Sequence, residues 1–381
     1  YPKADFSYVL SEETFVPEFI SNFKLRAAVG MSGLTPGAFD QFRTFTPVTV
    51  LDDNTGAVPD SPGNPELGPE KTLGLEGGFE AGFFNDRLGV EFTLYQQETR
   101  NALLQVPLPP SQGFLQAQLQ NVGRVRNRGW ELAVNASILE TGKVRWNSTV
   151  SMDGNRNTVL DLGPRAQCGV SPVDGKEYCK LGALRTRYPV NVLFGNVIVS
   201  YDPATNRHRR SDTAVYRGDP LPHWNGSVGN TIEFGPIRLY GLVSWEKGAS
   251  FNNADRPYAI RFETGDEYLS TFDFSKDPPV PTAKSDSLKD YFTLVSAVDK
   301  RDNIRIREVS LSLELPRAWF SSLGLGRTFL TLAGFNLHWW DNCHCRDPNA
   351  TWRGGADFGF TTDFLAQPQP RKFLATLRTS F

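Results

Sequence analysis

Apolar and polar residues take turns along much of this chain with a period of two. From Leu88 the even positions Leu88, Val90, Phe92 and Leu94 are apolar, while Gly89, Glu91, Thr93, Tyr95 and Gln97 are mostly polar. Successive side chains of a strand point to opposite faces, so this segment predicts a strand with one greasy and one wet face. A half-buried strand of a soluble sandwich carries the same signature, so one such segment does not decide the fold.

The recurrence of the signature says more. Phe6, Tyr8 and Leu10 alternate with Asp5 and Ser7, and Phe23, Leu25, Ala27, Val29 and Met31 alternate with Lys24, Arg26, Ala28 and Gly30. Leu73 to Gly82 and Arg87 to Thr99 flank Asn85-Asp86, a tight-turn signal. Trp130 to Ile138 and Val144 to Met152 flank Glu140-Thr141-Gly142-Lys143, and Trp224 to Glu233 and Ile237 to Glu246 flank Phe234-Gly235-Pro236. Val309, Leu311, Leu313 and Leu315 end the next strand, with a parity shift after Ile306 that predicts a bulge. Pro316 to Gly326 reads as a compact link with one helical turn near Trp319-Phe320. Phe329, Thr331, Ala333, Phe335 and Leu337 form the apolar row of the following strand, and Phe373, Ala375, Leu377, Thr379 and Phe381 close the chain.

About eleven long strands result, joined alternately by short links (11–22, 83–86, 139–143, 234–236, 316–326) and long segments (33–71, 101–128, 158–221, 248–290, 339–370). Transmembrane β-barrels of the outer-membrane type have short turns at one end and long loops at the other. A soluble sandwich has no reason to keep that asymmetry. The fold class expected is therefore all-β, an antiparallel transmembrane barrel wall.

Composition agrees with strands and turns: 12% of the 381 residues are aromatic, with 27 Phe against 2 Met, 34 Gly and 26 Pro. No apolar run reaches the roughly 18 residues of a membrane-spanning helix, which does not bear on a barrel. A net charge of −2 gives no case for nucleic acid. A secretory signal is absent before Tyr1, so either it has been removed or the chain is part of something longer.

The segment Asn64-Pro65-Glu66-Leu67-Gly68-Pro69-Glu70-Lys71, then Gly74 to Gly78 and Phe83-Phe84-Asn85-Asp86-Arg87, resembles the C-terminal half of SusC/RagA-type TonB-dependent outer-membrane transporters. The resemblance continues through Gln120-Asn121-Val122-Gly123, Asn127-Arg128-Gly129-Trp130-Glu131, Arg307 to Pro316, Gly334-Phe335-Asn336-Leu337, and Gln369-Pro370-Arg371 to the terminal Phe381. It implies half of a barrel of about twenty-two strands, in the outer membrane of a Gram-negative cell, that imports bulky nutrients such as oligosaccharides or peptides. It also implies a SusD-type surface lipoprotein as a lid, outer-membrane lipid around the wall, and TonB acting through an N-terminal part. Plug and N-terminal domains are not seen, so residues 1–381 are expected to be the C-terminal part of the receptor barrel. The short links would be periplasmic and the long segments extracellular, with Leu88 to Leu94 facing lipid and Glu91, Thr93 and Gln97 the lumen. Arg145, Arg238 and Arg378 stand opposite greasy rows, as a lipid-facing wall demands.

Candidate chemistry is sparse. Cys168 and Cys179 lie in a polar, turn-rich segment, and a disulfide between them would close a short loop, as suits an oxidising compartment. Cys343 and Cys345 are expected to be too close for an easy mutual bridge. His338, Cys343, His344 and Cys345 crowd together but match no zinc spacing, so no metal or cofactor is assigned. Trp339, Trp340 and Trp352 fall near the predicted extracellular rim, either as interface anchors or as ring surfaces for a ligand or the lid. Arg207 to Arg210 and Asp52-Asp53 read as solvated loop charges. A convergent catalytic set is lacking, so an enzyme on a barrel is disfavoured; the other alternative is a secreted all-β carbohydrate-binding or adhesive protein.

Overall fold

A computed structural model describes every residue except 51–53, 107, 110, 112, 113, 115, 171–174, 182, 183, 321–323, 351–361 and 381. Eleven strands form one sheet: β1 (Lys3–Val9), β2 (Ile20–Leu34), β3 (Glu70–Phe83), β4 (Leu88–Val106), β5 (Gln118–Glu140), β6 (Val144–Asp161), β7 (Trp224–Phe234), β8 (Ile237–Lys247), β9 (Asn303–Leu315), β10 (Thr328–Asp341) and β11 (Lys372–Thr379). They pair in sequence order, each antiparallel to the next, and β1 and β11 are each paired on one side only among the described residues.

Short turns hold the ladder at one end. Phe84, Asn85 and Asp86 all take positive φ between β3 and β4. Between β7 and β8, Phe234 pairs with Ile237 around Gly235-Pro236, with Gly235 at φ 53°. One 3-10 turn, Arg317–Trp319, lies in the link before β10. At the other end the chain makes its long excursions.

The registers fix which side chains share a face. Tyr8, Leu25, Phe79, Phe92, Leu132, Met152, Gly226, Trp245, Ile304 and Trp340 are successive cross-strand partners and form a single row. Phe23 stacks on Phe79 and Phe79 meets Phe92, each at 5.9 Å between centroids, contacts that stabilise neighbouring strands. Among the described residues no second layer covers this face: Leu94 is 55% exposed, Leu377 60% and Phe373 78%. A soluble protein would bury such a continuous apolar surface, at about 25 cal/mol per Å². Its exposure leaves no second sheet against it among the described residues and fits a wall facing hydrocarbon.

Two expectations need correction. On β10 the partners of Leu311 and Leu313 are Leu332 and Leu330, so the even residues continue the apolar row, and Phe329 and Phe335 turn to the polar side. The bulge between Ile306 and Glu308 switches parity part-way along β9, while β10, with Asn336 at φ 52°, keeps its even residues on the apolar side throughout. Segment 101–128 is not one long loop. The β4–β5 ladder runs on to Val106↔Gln118 through irregularities at Ala102. There Leu104 and Val106 pack into a buried cluster under the excursions, so hydrogen bonding continues past the end of the two-faced wall.

Buried apolar residues gather under the long excursions instead. Val106, Val159, Leu162 and Leu181 pack with Leu104, Val122, Val125, Leu184 and Val190. Three helices, α1 (Asp255–Arg261), α2 (Asp266–Leu269) and α3 (Ala283–Leu294), interrupt segment 248–302.

Candidate functional site

The polar face is built by the residues that alternate with the apolar row. Arg26, Gly78, Thr93, Glu131, Asp153, Asn225, Glu246, Asn303 and Asp341 are successive partners across nine strands. Gly78 carries no side chain, so the Arg26 guanidinium lies across β3 and donates to Thr93 Oγ1 at 2.6 Å. Lys24 and Arg26 flank Glu80 at 3.7 and 3.6 Å. Nearer the short turns, Glu233 accepts from both Arg145 and Arg238. Arg145 and Arg238 thus stand on the polar face with a carboxylate partner, which makes a charged wall tolerable there.

Over the far end of this face the excursions fold back and are tied down by charge. Arg305 of β9 points to the polar side and pairs with Asp347; both side chains are fully buried. The Trp339 ring covers the Arg305 guanidinium at 4.7 Å. Asp347 also accepts from the backbone N–H groups of Asn349 (2.9 Å) and Gln369 (3.0 Å). Burial pushes its carboxyl up, but the Arg305 guanidinium and those two N–H groups outweigh it, and the net pKa is lowered. At Asp363 the balance is opposite: desolvation and neighbouring Asp255 outweigh Arg301 and Arg346 and raise it to about 6.

A second set of ties joins α3 to the hairpin at 198–210. Asp290 accepts from Arg207 (2.8 Å) and from the backbone N–H of His208 (2.6 Å). The basic tract Arg207–Arg210 is therefore partly an anchor, not a free loop charge. Thr282 and Ser285 form a capping box that starts α3, a signal the alternation-based reading passed over. Between hairpin and helices lies a cavity of about 650 Å³ lined by Tyr201, His208, Glu267, Lys284 and Tyr291, among others. Its rings, hydroxyls and two opposite charges suit a polar ligand with flat faces.

The three tryptophans do not come together. Trp339 faces inward onto Arg305, Trp340 lies on the apolar face, 54% exposed and edge-on to His338 at 4.5 Å, and Trp352 lies outside the described residues, as do Asp52 and Asp53. Cys168 and Cys179 face each other across a small hairpin and are disulfide-bonded. Cys343 and Cys345 are bonded too, against expectation. Their Cα atoms are 5.1 Å apart, within the span a disulfide bridges, because the chain bends at His344 and draws them together.

Residues 1–297 match the family model of the TonB dependent receptor-like β-barrel. TonB-dependent receptor P26 of Formosa agariphila is 28% identical over 100% of this chain and 42% of its own length. The TonB-dependent receptor SusC of Bacteroides thetaiotaomicron is 25% identical over 42% of this chain and 17% of its own. Among solved structures, the RagAB peptide transporter superposes with a TM-score of 0.78 at 19% identity, over 100% of this chain and 43% of that one. The chain thus spans less than half the length of these relatives.

Proposed function

The chain belongs to the TonB-dependent receptors of the outer membrane, and from that we propose that it is the C-terminal wall of a barrel importing bulky nutrients, oligosaccharides or peptides, with a SusD-type lipoprotein as lid. Its homologues are transporters and receptors, not enzymes. The observation that carries the reading is the two-faced sheet: one uncovered apolar row, and one polar row overlaid at a single end by tethered loops. On this reading the loop end is extracellular, the short turns are periplasmic, and the loops make the first contact with cargo. Energy from TonB would reach the wall through a separate N-terminal part.

The work of this segment is therefore binding and enclosure. The 650 Å³ loop cavity offers Tyr201 and Tyr291 as ring surfaces, and stacking on them adds about 0.5–1.5 kcal/mol per pair beyond area burial. The test is calorimetry on the full receptor with panels of oligosaccharides and of peptides. A ligand of one class should bind, and Tyr201→Ala with Tyr291→Ala should weaken it about tenfold. Loss of binding in neither variant would remove the cavity from the site; failure of every panel member to bind or enter cells would remove the importer reading.

A further inference from the structure

A groove of about 1080 Å³ crosses the sheet from β1 to β7. Its lining follows the register: Phe6, Ala27, Gly77, Leu94, Trp130 and Gly154 are successive partners in one apolar row, and Trp224 opens β7 beside the pair Asp153↔Asn225. A parallel row beside it ends in Gln96, Arg128 and Arg156. Both rows belong to the face that turns away from the polar side. Ala27 and Gly77 make the floor shallow between Phe6 and Leu94, and Trp130 meets Trp224 edge-on at 5.9 Å over Gly154.

Depth follows from strand geometry. A strand rises about 3.3 Å per residue and tilts about 40°, so ten residues climb about 25 Å, the height of the apolar band of a barrel. Trp130 and Trp224 each stand ten residues from the short-turn ends of their strands, Glu140 and Phe234. Leu94 and Gly77 stand six from theirs, Leu88 and Phe83, at about 15 Å by the same rise and tilt. The groove thus descends from the rim of the membrane towards its middle. Arg128 and Arg156, two residues beyond the aromatic pair, lie just above the hydrocarbon.

These two arginines are direct cross-strand partners, both exposed, and neither has a carboxylate partner among the described residues. Like charges placed opposite each other destabilise a sheet. The nearby acid, Glu98, is already taken by Arg126 (2.8 Å) and Arg100 (3.1 Å), with Arg124 at 3.9 Å. His223, at the same end, is held by Asp219 at 2.6 Å. An unmatched pair of guanidinium forks above an apolar groove calls for an anion that carries hydrocarbon.

We propose that this outward groove binds one phosphorylated lipid of the outer leaflet, with its phosphate between Arg128 and Arg156, its sugar or glycerol backbone on Trp130 and Trp224, and an acyl chain along Ala27, Gly77 and Leu94. The lipid neutralises the arginine pair and becomes part of the wall. The site lies on the face opposite the cargo path and is independent of cargo identity.

The full receptor, extracted in mild detergent and delipidated, is incubated with monophosphoryl lipid A and examined by native mass spectrometry. One adduct should form per receptor, and Arg128→Ala with Arg156→Ala should reduce its occupancy at least tenfold. Arg128→Lys with Arg156→Lys should keep most of it, and the phosphate-free analogue should bind no better to wild type than lipid A does to the alanine pair. Heat-modifiable gel mobility verifies that each barrel is folded; if the alanine pair does not fold, Arg128→Gln alone should still lower occupancy several-fold. Equal occupancy in the folded alanine or glutamine variant, equal binding of the phosphate-free analogue, or displacement of the lipid by equimolar inorganic phosphate would each overturn the proposal.

Discussion

Replacing Asp347 by alanine strips the counter-charge from a guanidinium with no exposed surface. Removing one partner of a buried ion pair costs about 3–5 kcal/mol, chiefly because the survivor stays buried and unpaired. The Trp339 ring over Arg305 offsets little of this, since it is present in both proteins. Asn349 and Gln369 also lose their N–H acceptor. The penalty falls on local opening of segments 342–350 and 362–369, not on the wall, whose ladder stays intact. At 1.4 kcal/mol per tenfold, 3–5 kcal/mol raises the open population by about 10²- to 10³-fold or more. Hydrogen exchange by mass spectrometry on the full receptor would read this as faster labelling of those segments, with β5 and β6 as internal references. Replacing both members, Arg305→Met with Asp347→Leu, removes the unpaired charge and should recover most of the protection. Unchanged exchange in Asp347→Ala, or a double variant as labile as the single one, would refute the idea that this pair holds the loops down.

The loop cluster should tighten on mild acidification. Asp363 has a folded pKa raised to about 6, so the folded state binds its proton more readily than the unfolded one, and stability rises as pH falls through 6 towards the unfolded value near 4. Below that the sign reverses, because Asp347 and Glu267 have lowered pKa values and lose their contribution on protonation. Asp363→Asn should flatten the pH 5–7 limb of a local exchange profile; a profile as steep as wild type would assign that limb to another group. On the wall, Leu94→Arg places a cation at mid-depth on the outward row and should cost about 2–4 kcal/mol, whereas Gln97→Arg on the polar row should cost well under 1 kcal/mol. Urea unfolding in lipid vesicles compares the two, and equal losses would mean the faces have been assigned wrongly.

The wall was readable because each of its strands states its own burial. Leu88 to Leu94 carry the alternation in adjacent residues, and Asn85-Asp86 carries the turn, so local information suffices. Reading stopped where that information stops. Beyond Arg100 the apolar residues Ala102, Leu104 and Val106 turn to a buried cluster formed with distant excursions, which no local pattern announces. On β10 both rows are apolar in composition, so hydropathy does not choose between them; the register does, by setting Leu330 and Leu332 against Leu313 and Leu311. The candidate site was harder still. Arg305 and Asp347 are 42 positions apart, and nothing in either neighbourhood announces the other. Trp339 and Trp340 are adjacent in sequence, yet the two-residue period of a strand sends them to opposite faces.

The tight turns sit at one end of the sheet and set the stagger of the strands they join, while strands joined by excursions take theirs from the matching of side-chain rows along the ladder. The chain at the opposite end carries no such duty. An evolving lineage, or an engineer, can therefore lengthen, trim or transplant segments such as 162–223 and 248–302 without re-indexing a single backbone pairing. On the importer proposal, new tastes in cargo would come by grafting onto a trellis whose spacing is kept elsewhere.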